Sequence, residues 1–178
     1  IPIFCDSGTY SYNASQRFMN YFSNLKSHNT VEFDNHDSMK KLSRFLFASW
    51  PETKNIVVSN NKKKLSWEGE YRNYFGNYHR RSVEMNYDTW KIIDKICCFK
   101  KFAILRWRLN DDKIKIKDNK IFFSKGNVEI MQNNIPVKNI FISEEWYSEN
   151  YYRKKRINVI NIKVYKDCEI KSTINFKS

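Results

Sequence analysis

Residues 1–37 read IPIFCDSGTYSYNASQRFMNYFSNLKSHNTVEFDNHD, and the fold turns on how this stretch is parsed. The apolar residues 1–5 read as a strand and the turn-rich residues 6–13 as a loop. Residues 14–25 read as a helix, because Phe18, Phe22 and Leu25 recur at three- and four-residue spacing while Met19 and Tyr21 widen the apolar face. Ser11 or Asn13 can cap its start. Residues 30–33 form a second short strand ending on Asp34. Strand, loop, helix and strand within about 35 residues make a βαβ unit, the building block of parallel sheets. In open sheets of that kind ligands sit at the carboxyl ends of the strands, here the edge carrying Asp6, Ser7, Gly8 and Asp34.

Working outward, Met39, Leu42, Phe45, Leu46 and Trp50 have helical spacing, with Ser38 as N-cap and Pro51 as the stop. Residues 55–60 (NIVVSN) read as a buried parallel strand, apolar without alternation. Residues 87–99 read as a further amphipathic helix with Trp90, Ile93, Ile96 and Cys97 inward. Residues 102–109 (FAILRWRL) follow as a strand. Residues 113–128 alternate isoleucines with lysines around an Asp118-Asn119 turn, an antiparallel hairpin that is either an insertion or a lateral flap. Residues 140–142 and 157–165 (INVINIKVY) are further strands, the latter at an edge or antiparallel position. Residues 166–178 read as a loose tail or short edge strand. No internal repeat is visible. The expectation is one α/β domain over 1–178: a Rossmann-like, mostly parallel sheet with helices on both faces and C-terminal antiparallel strands.

At 178 residues the chain is long enough for a real core, and 41% hydrophobic with 16% aromatic residues argues against disorder. Lys+Arg 32 against Asp+Glu 19 gives +13, a field that favours polyanions or anionic membrane. Abundant Lys, Asn and Ile with only 4 Gly also fit an A/T-rich genome, which assigns part of that basicity to codon usage. No apolar run approaches the ~20 residues of a membrane span, which excludes an integral helical membrane protein. The first residue is Ile, so the chain reads as a processed product, a fragment or an unusually initiated protein. No charged-then-apolar signal precedes residues 1–5, so secretion is not expected. Cys5, Cys97, Cys98 and Cys168 lack zinc-type pairing and read as buried free thiols in a reducing intracellular compartment, cytoplasm or organelle.

Residues 61–88 hold the densest mixture of cations and aromatics. Lys62, Lys63, Lys64, Trp67, Tyr71, Arg72, Arg80 and Arg81 combine phosphate neutralisation with faces for base stacking, the two ingredients of an RNA site. The same residues also read as a solvated loop whose aromatics plug the core. His28, His36 and His79 are isolated in sequence. A metal site from Asp34, His36 and Asp37, or a Mg²⁺-binding nuclease site from Asp6, Asp34 and Asp37, competes with a plain polar turn, and no metal is assigned. Nucleophile elbow, phosphate-binding loop and CxxC motif are absent.

Asp6-x-Gly8 behind an apolar strand, followed by Ala14-Ser15-Gln16, resembles the first motif of the FtsJ-like RNA 2′-O-methyltransferases, the family of the poxvirus and nidovirus cap enzymes. The resemblance implies S-adenosylmethionine wrapped by Asp6, Ser7, Gly8 and Tyr10, with its ribose hydroxyls on Asp34. The family's Pro-Gly-Gly reads Ser11-Tyr12-Asn13 here, a less permissive backbone. The visible positions of its Lys-Asp-Lys-Glu tetrad fall on Asn60, Arg106 and Arg156. All three are changed, and an arginine stays protonated where a lysine would act as base. The implied function is an RNA-associated, catalytically degenerate methyltransferase-like domain that has RNA and the subunits of an RNA-processing or ribosomal assembly as partners. Two alternatives stay open: an active S-adenosylmethionine-dependent RNA 2′-O-methyltransferase with a rearranged site, and a structural RNA-binding or ribosomal-type subunit.

Overall fold

Residues 31–33 and 102–109 do lie side by side as strands, but they run antiparallel, and so does every other pairing between named strands. The computed structural model describes residues 2–61, 64–111, 113–118 and 120–177. The chain opens with one short helix, α1 (Gln16–Ser23), and a 3-10 turn at Leu25–Ser27. Strands follow: β1 (Val31–Phe33), β2 (Lys40–Lys41), β3 (Phe47–Ala48), β4 (Glu52–Asn61) and β5 (Lys64–Arg72). Next come β6 (Tyr78–Met85), β7 (Thr89–Cys97), β8 (Ala103–Leu109), β9 (Lys115–Lys117) and β10 (Lys120–Phe123). The last are β11 (Gly126–Gln132), β12 (Ile135–Pro136), β13 (Ile140–Tyr147), β14 (Lys155–Val164) and β15 (Cys168–Phe176).

Among the described residues these strands make a small sheet in the order β1-β8-β14-β13 and a large one in the order β4-β5-β6-β7-β15-β11-β10-β9. β12 pairs on β11, and β2 with β3 forms a separate hairpin. The two sheets share one core. Leu105 and Trp107 of β8, Phe33 of β1 and Ile160 and Ile162 of β14 pack with Ile96 of β7, Ile170 of β15 and Ile130 of β11. Trp107 Nε1 crosses between the layers to donate to Ser172 Oγ of β15 at 3.1 Å. The architecture is a β-sandwich, in which alternate residues of each inner face interdigitate.

The Rossmann-like reading is therefore corrected: the sheets are antiparallel, and among the described residues one short α-helix stands in place of the crossover helices. Two misread segments explain the difference. In β7 the inward set is Ile92, Asp94 and Ile96, all buried at a period of two. A buried acid in the middle of that set hid the alternation, and Trp90, Ile93, Ile96 and Cys97, which fall on both faces of the strand, supplied a false helical spacing. Residues 38–50 form the β2–β3 hairpin, closed by Leu42 and Ser43 N–H groups on the Leu46 carbonyl. Its Leu42, Phe45, Leu46 and Trp50 are exposed, so their spacing marks no core-facing stripe.

Residues 55–60 lie in β4, the exposed edge of the large sheet rather than a buried parallel strand. β14 is interior, paired on both sides, and the expected tail is β15, a central strand between β7 and β11. The helix inside 14–25, the strand inside 30–33 and the strand 102–109 stand where the pattern put them, and residues 113–128 fall in β9, β10 and the start of β11. Asn119 of its expected turn lies outside the described residues. Among the described residues no helix is long and apolar enough to cross a membrane.

Candidate functional site

Two loops meet at the Leu109 end of the small sheet. Residues 2–5 run along the end of β8, with Cys5 N–H on the Arg108 carbonyl at 3.1 Å and Asn110 N–H on the Ile3 carbonyl at 2.8 Å. The loop 6–13 is then tied to residues 148–153: Ser148 N–H donates to the Ser7 carbonyl and Tyr152 N–H to the Tyr10 carbonyl, both at 2.8 Å. Gly8 sits at φ +72°, and a Cβ there would lie 2.0 Å from the Ser148 carbonyl oxygen. The glycine of the Asp-x-Gly motif is thus required by the approach of another backbone.

Asp6 anchors this junction. Its Oδ1 accepts from Gly8 N–H at 3.1 Å, and its Oδ2 lies 2.5 Å from His28 Nδ1. Partial burial opposes its ionisation, but the His28 hydrogen bond and charge, the Gly8 N–H and the Arg108 guanidinium outweigh it and lower the carboxyl below its ordinary range. Asn29 holds the other side, donating to the Cys5 carbonyl and accepting from Arg108 N–H. With Nδ1 engaged by Asp6, Nε2 is the His28 ring nitrogen without a partner among the described residues. Among the described residues no group of three or more His, Cys, Asp or Glu is placed to hold a metal.

Aromatic rings form the rim. Tyr10 packs on Phe22 at 5.9 Å and on Tyr152 at 5.7 Å, Tyr151 on Tyr152 at 4.9 Å, and Tyr12 on Tyr151 at 6.1 Å. Tyr151 Oη accepts from Tyr12 N–H at 3.2 Å, so the two loops are joined through side chains as well. Tyr12, Tyr151 and Tyr152 each leave about half of their surface in solvent (54%, 50% and 56%), enough to receive a ligand face. Lys154 Nζ lies 4.3 Å from the Tyr10 ring and 4.5 Å from the Phe18 ring, an attraction between cation and ring quadrupole. Two adjoining clefts lie against α1 and share Met19, Ser23, Lys41 and Arg44. One of about 530 Å³ includes Lys41 and Arg44, and one of about 270 Å³ includes Tyr10, Tyr12 and Phe45.

The residues singled out from sequence are scattered. Asp6, Ser7, Gly8 and Tyr10 share the rim. Asp34 lies at the other end of β8: its carboxylate accepts the N–H groups of Lys100, Lys101 and Phe102 at 2.8–2.9 Å. Cys5 and Asp34 pair with backbone groups six residues apart on that strand, roughly 20 Å. Asp37 accepts from Asn24 Nδ2 and Leu25 N–H, and His36 stacks near Phe75, so the acids weighed for a metal site are apart. Asn60 lies on exposed β4, Arg106 pairs with buried Glu32 at 2.6 Å, and Arg156 lies over the Trp146 ring at 3.8 Å.

Of the cations weighed for RNA, Lys64 pairs with Glu84, Arg80 with Glu68 and Arg81 with Asp94, while Arg72 donates to the Gly76 carbonyl. Trp67 is exposed, and Tyr71 is part-buried with its hydroxyl inside, where burial pushes it up to about 12. Lys62 and Lys63 lie outside the described residues. Sequence reasoning missed the His28 partnership with Asp6 and the buried His79–Asp94–Arg81 network, in which both partners reach Asp94 Oδ1 at 2.6 Å. Only the alternation of His79 and Arg81 on β6 carried a trace of the latter.

A β-sandwich whose N-terminal loop packs on the loop between its last small-sheet strands defines the structural class. Within that class, the family model described as heparinase II/III-like, C-terminal, matches residues 1–174, and the chain belongs to that family. No curated protein matches the sequence. Among solved structures, a heparinase III is 19% identical with a TM-score of 0.76, over 97% of this chain and 27% of its own. Heparan sulfate lyase HepC from Pedobacter heparinus is 16% identical with a TM-score of 0.73, over 98% and 29%. A further heparinase III structure is 18% identical with a TM-score of 0.70, over 99% and 28%. These are likenesses of fold, and the chain spans less than a third of each solved chain. They overturn the FtsJ-like resemblance and the RNA methyltransferase function drawn from it. S-adenosylmethionine was assigned through that resemblance, and RNA through it and through residues 61–88, whose cations Lys64, Arg72, Arg80 and Arg81 are engaged within the fold; neither is carried forward.

Proposed function

We propose that the chain is the β-sandwich portion of a polysaccharide lyase and lines the binding surface for an anionic polysaccharide with the rim of loops 6–13 and 148–153. Membership of the heparinase II/III-like family over residues 1–174 carries this reading. The heparan sulfate lyase among the structural neighbours supports the substrate class. The surface chemistry agrees with it. Half-exposed Tyr12, Tyr151 and Tyr152 offer faces to sugar rings, and the excess of 32 Lys+Arg over 19 Asp+Glu favours a polyanion. At the same rim, His28 is oriented by Asp6 with Nε2 free of partners among the described residues, suited to taking the proton with which an elimination begins.

Titration calorimetry of the chain with heparan sulfate oligosaccharides and with an uncharged polysaccharide, over a salt series, tests it. Binding of the sulfated chain that weakens steeply with salt is expected. Equal affinity for both, or none for the sulfated one, overturns it.

A further inference from the structure

We propose that the cleft between α1 and the paired ends of β13 and β14 is a subsite for one oxyanion group, a sulfate ester or carboxylate. The identity of its bearer, the polysaccharide, rests on the reading above. The cleft has a volume of about 450 Å³ and is lined by Arg17, Lys26 and Arg156 together with Asn20, Asn24 and Trp146. That is the size range of pockets that take a small ligand or one sugar unit.

Its charge is unbalanced. Arg17 has no ion-pair partner among the described residues, and Lys26 faces the Tyr21 ring at 5.5 Å rather than an acid. Arg156 lies over the Trp146 ring at 3.8 Å and donates Nη1 to the Glu144 carbonyl at 3.2 Å, with no other hydrogen bond among the described residues. The carboxylate in the lining is Glu145, which accepts from Tyr21 Oη at 2.8 Å. Asp37 approaches through Asn24, but both of its oxygens are taken by Asn24 Nδ2 and Leu25 N–H.

Behind the wall stands a fourth cation. Arg108 is fully buried and donates to the main-chain carbonyls of Lys26 and Trp146, two residues of the lining, while its Nε has no partner among the described residues. It makes no salt bridge with a described residue. Asp6 is the acid that feels its charge, and Asp6 is already engaged by His28 and Gly8. A guanidinium held out of water without a carboxylate projects its field into the nearest polar space, and low-dielectric walls focus that field. Lys26 and Trp146, whose carbonyls Arg108 holds, both line the cleft. Because Arg156 covers one face of Trp146, the cleft recognises charge through forked N–H donors more than it stacks on a ring.

Calorimetry of the chain tests this with four probes: a sulfated heparin tetrasaccharide, its desulfated counterpart that keeps the carboxylates, inorganic sulfate and inorganic phosphate. The variants are the double substitution Arg17→Gln/Arg156→Gln, and Lys115→Gln/Lys117→Gln on exposed β9, outside the clefts around α1. The first is expected to weaken the sulfated tetrasaccharide by about tenfold or more, against less than about threefold for Lys115→Gln/Lys117→Gln. A loss confined to the sulfated probe assigns the site to sulfate, and a loss with both oligosaccharides assigns it to carboxylate. Equal losses in the two variants, or none in the cleft variant, overturn the subsite. Wild-type binding of inorganic sulfate or phosphate that the cleft variant loses, without binding of either tetrasaccharide, supports the oxyanion site and overturns the polysaccharide reading instead.

Discussion

β8 and β4 look alike in sequence and end up opposite in the molecule. Each contains a run of apolar, β-branched or aromatic residues, FAILRWRL in one and NIVVSN in the other. All seven residues of β8 are buried, and all ten of β4 are exposed. β8 has β1 and β14 on its flanks and the large sheet against one face. Its other face holds Arg106 paired with Glu32, and Arg108 beneath the backbone of residues 26 and 146. β4 has β5 on one side, and no core residue comes from it. Apolar content therefore sets which segments can be strands, while position in the sheet order sets which are core.

The strongest test of that contrast lies in the layer the two strands do not share. Asp94 of β7 is fully buried between His79 and Arg81, and Arg81 also donates to the Asn29 carbonyl and faces the Trp107 ring at 4.8 Å. Asp94→Ala leaves a buried guanidinium and imidazole without their acid, and is expected to cost about 3–5 kcal/mol in denaturant unfolding. Burial works against the Asp94 charge, but Arg81 and His79 overcome it and lower its folded pKa. A depressed folded pKa adds stability that is complete above the unfolded carboxyl value of about 3.9 and is lost as pH falls through the folded one. Asp94→Asn should accordingly flatten the dependence of stability on pH below about 4. An unchanged acid limb would show that the ion pair does not form.

Next in size is Leu105→Ala at the centre of β8. Truncating a fully buried leucine should cost about 2–5 kcal/mol, read as a shifted urea midpoint at constant m-value. A loss near 0.5 kcal/mol would mean that the two sheets do not close over β8.

Asp34→Asn comes third. The carboxylate gathers three successive N–H groups of residues 100–102, and those bonds hold its pKa below the usual range against a desolvation effect that raises it. Because the site is open to water, the expected loss is about 1 kcal/mol, with faster amide exchange at Lys100 and Lys101. Binding of a heparan sulfate oligosaccharide should not change. If it weakens while exchange stays slow, Asp34 touches the ligand instead of the loop.

Legibility in the sequence followed the same division. Segments 30–33 and 102–109 could be read, because their buried polar residues Glu32, Arg106 and Arg108 lie on the face away from the shared core and keep the period of two. Segments with polar residues inside the core, Asp94 in β7 and Ser172 in β15, could not, because burial of a paired or hydrogen-bonded polar group breaks the pattern that periodicity detects. The Asp6–Gly8 motif was visible and was read as a cofactor loop. A glycine reports only that something comes close, and here it is the Ser148 carbonyl. The partnership of Asp6 with His28, across 22 residues, and the meeting of loop 6–13 with loop 148–153 depend on the sheet order, which local sequence does not contain.

The smallest expected effect belongs to β4 itself. Ile56, Val57 and Val58 leave more than half of their surface in solvent, on a ten-residue strand paired along one edge. An open edge of this kind offers its free N–H and C=O groups to other chains, and lysine is a common device against such pairing. Val57→Lys removes little buried apolar area, so its unfolding midpoint should stay within about 0.5 kcal/mol of wild type. Sedimentation velocity across a concentration series should show the same or less self-association. A destabilisation as large as that of Leu105→Ala would mean that β4 is covered in solution, and the contrast between the two strands would fail. A midpoint that does not move, beside a large loss at Leu105, would leave sheet order as the cause of their different burial.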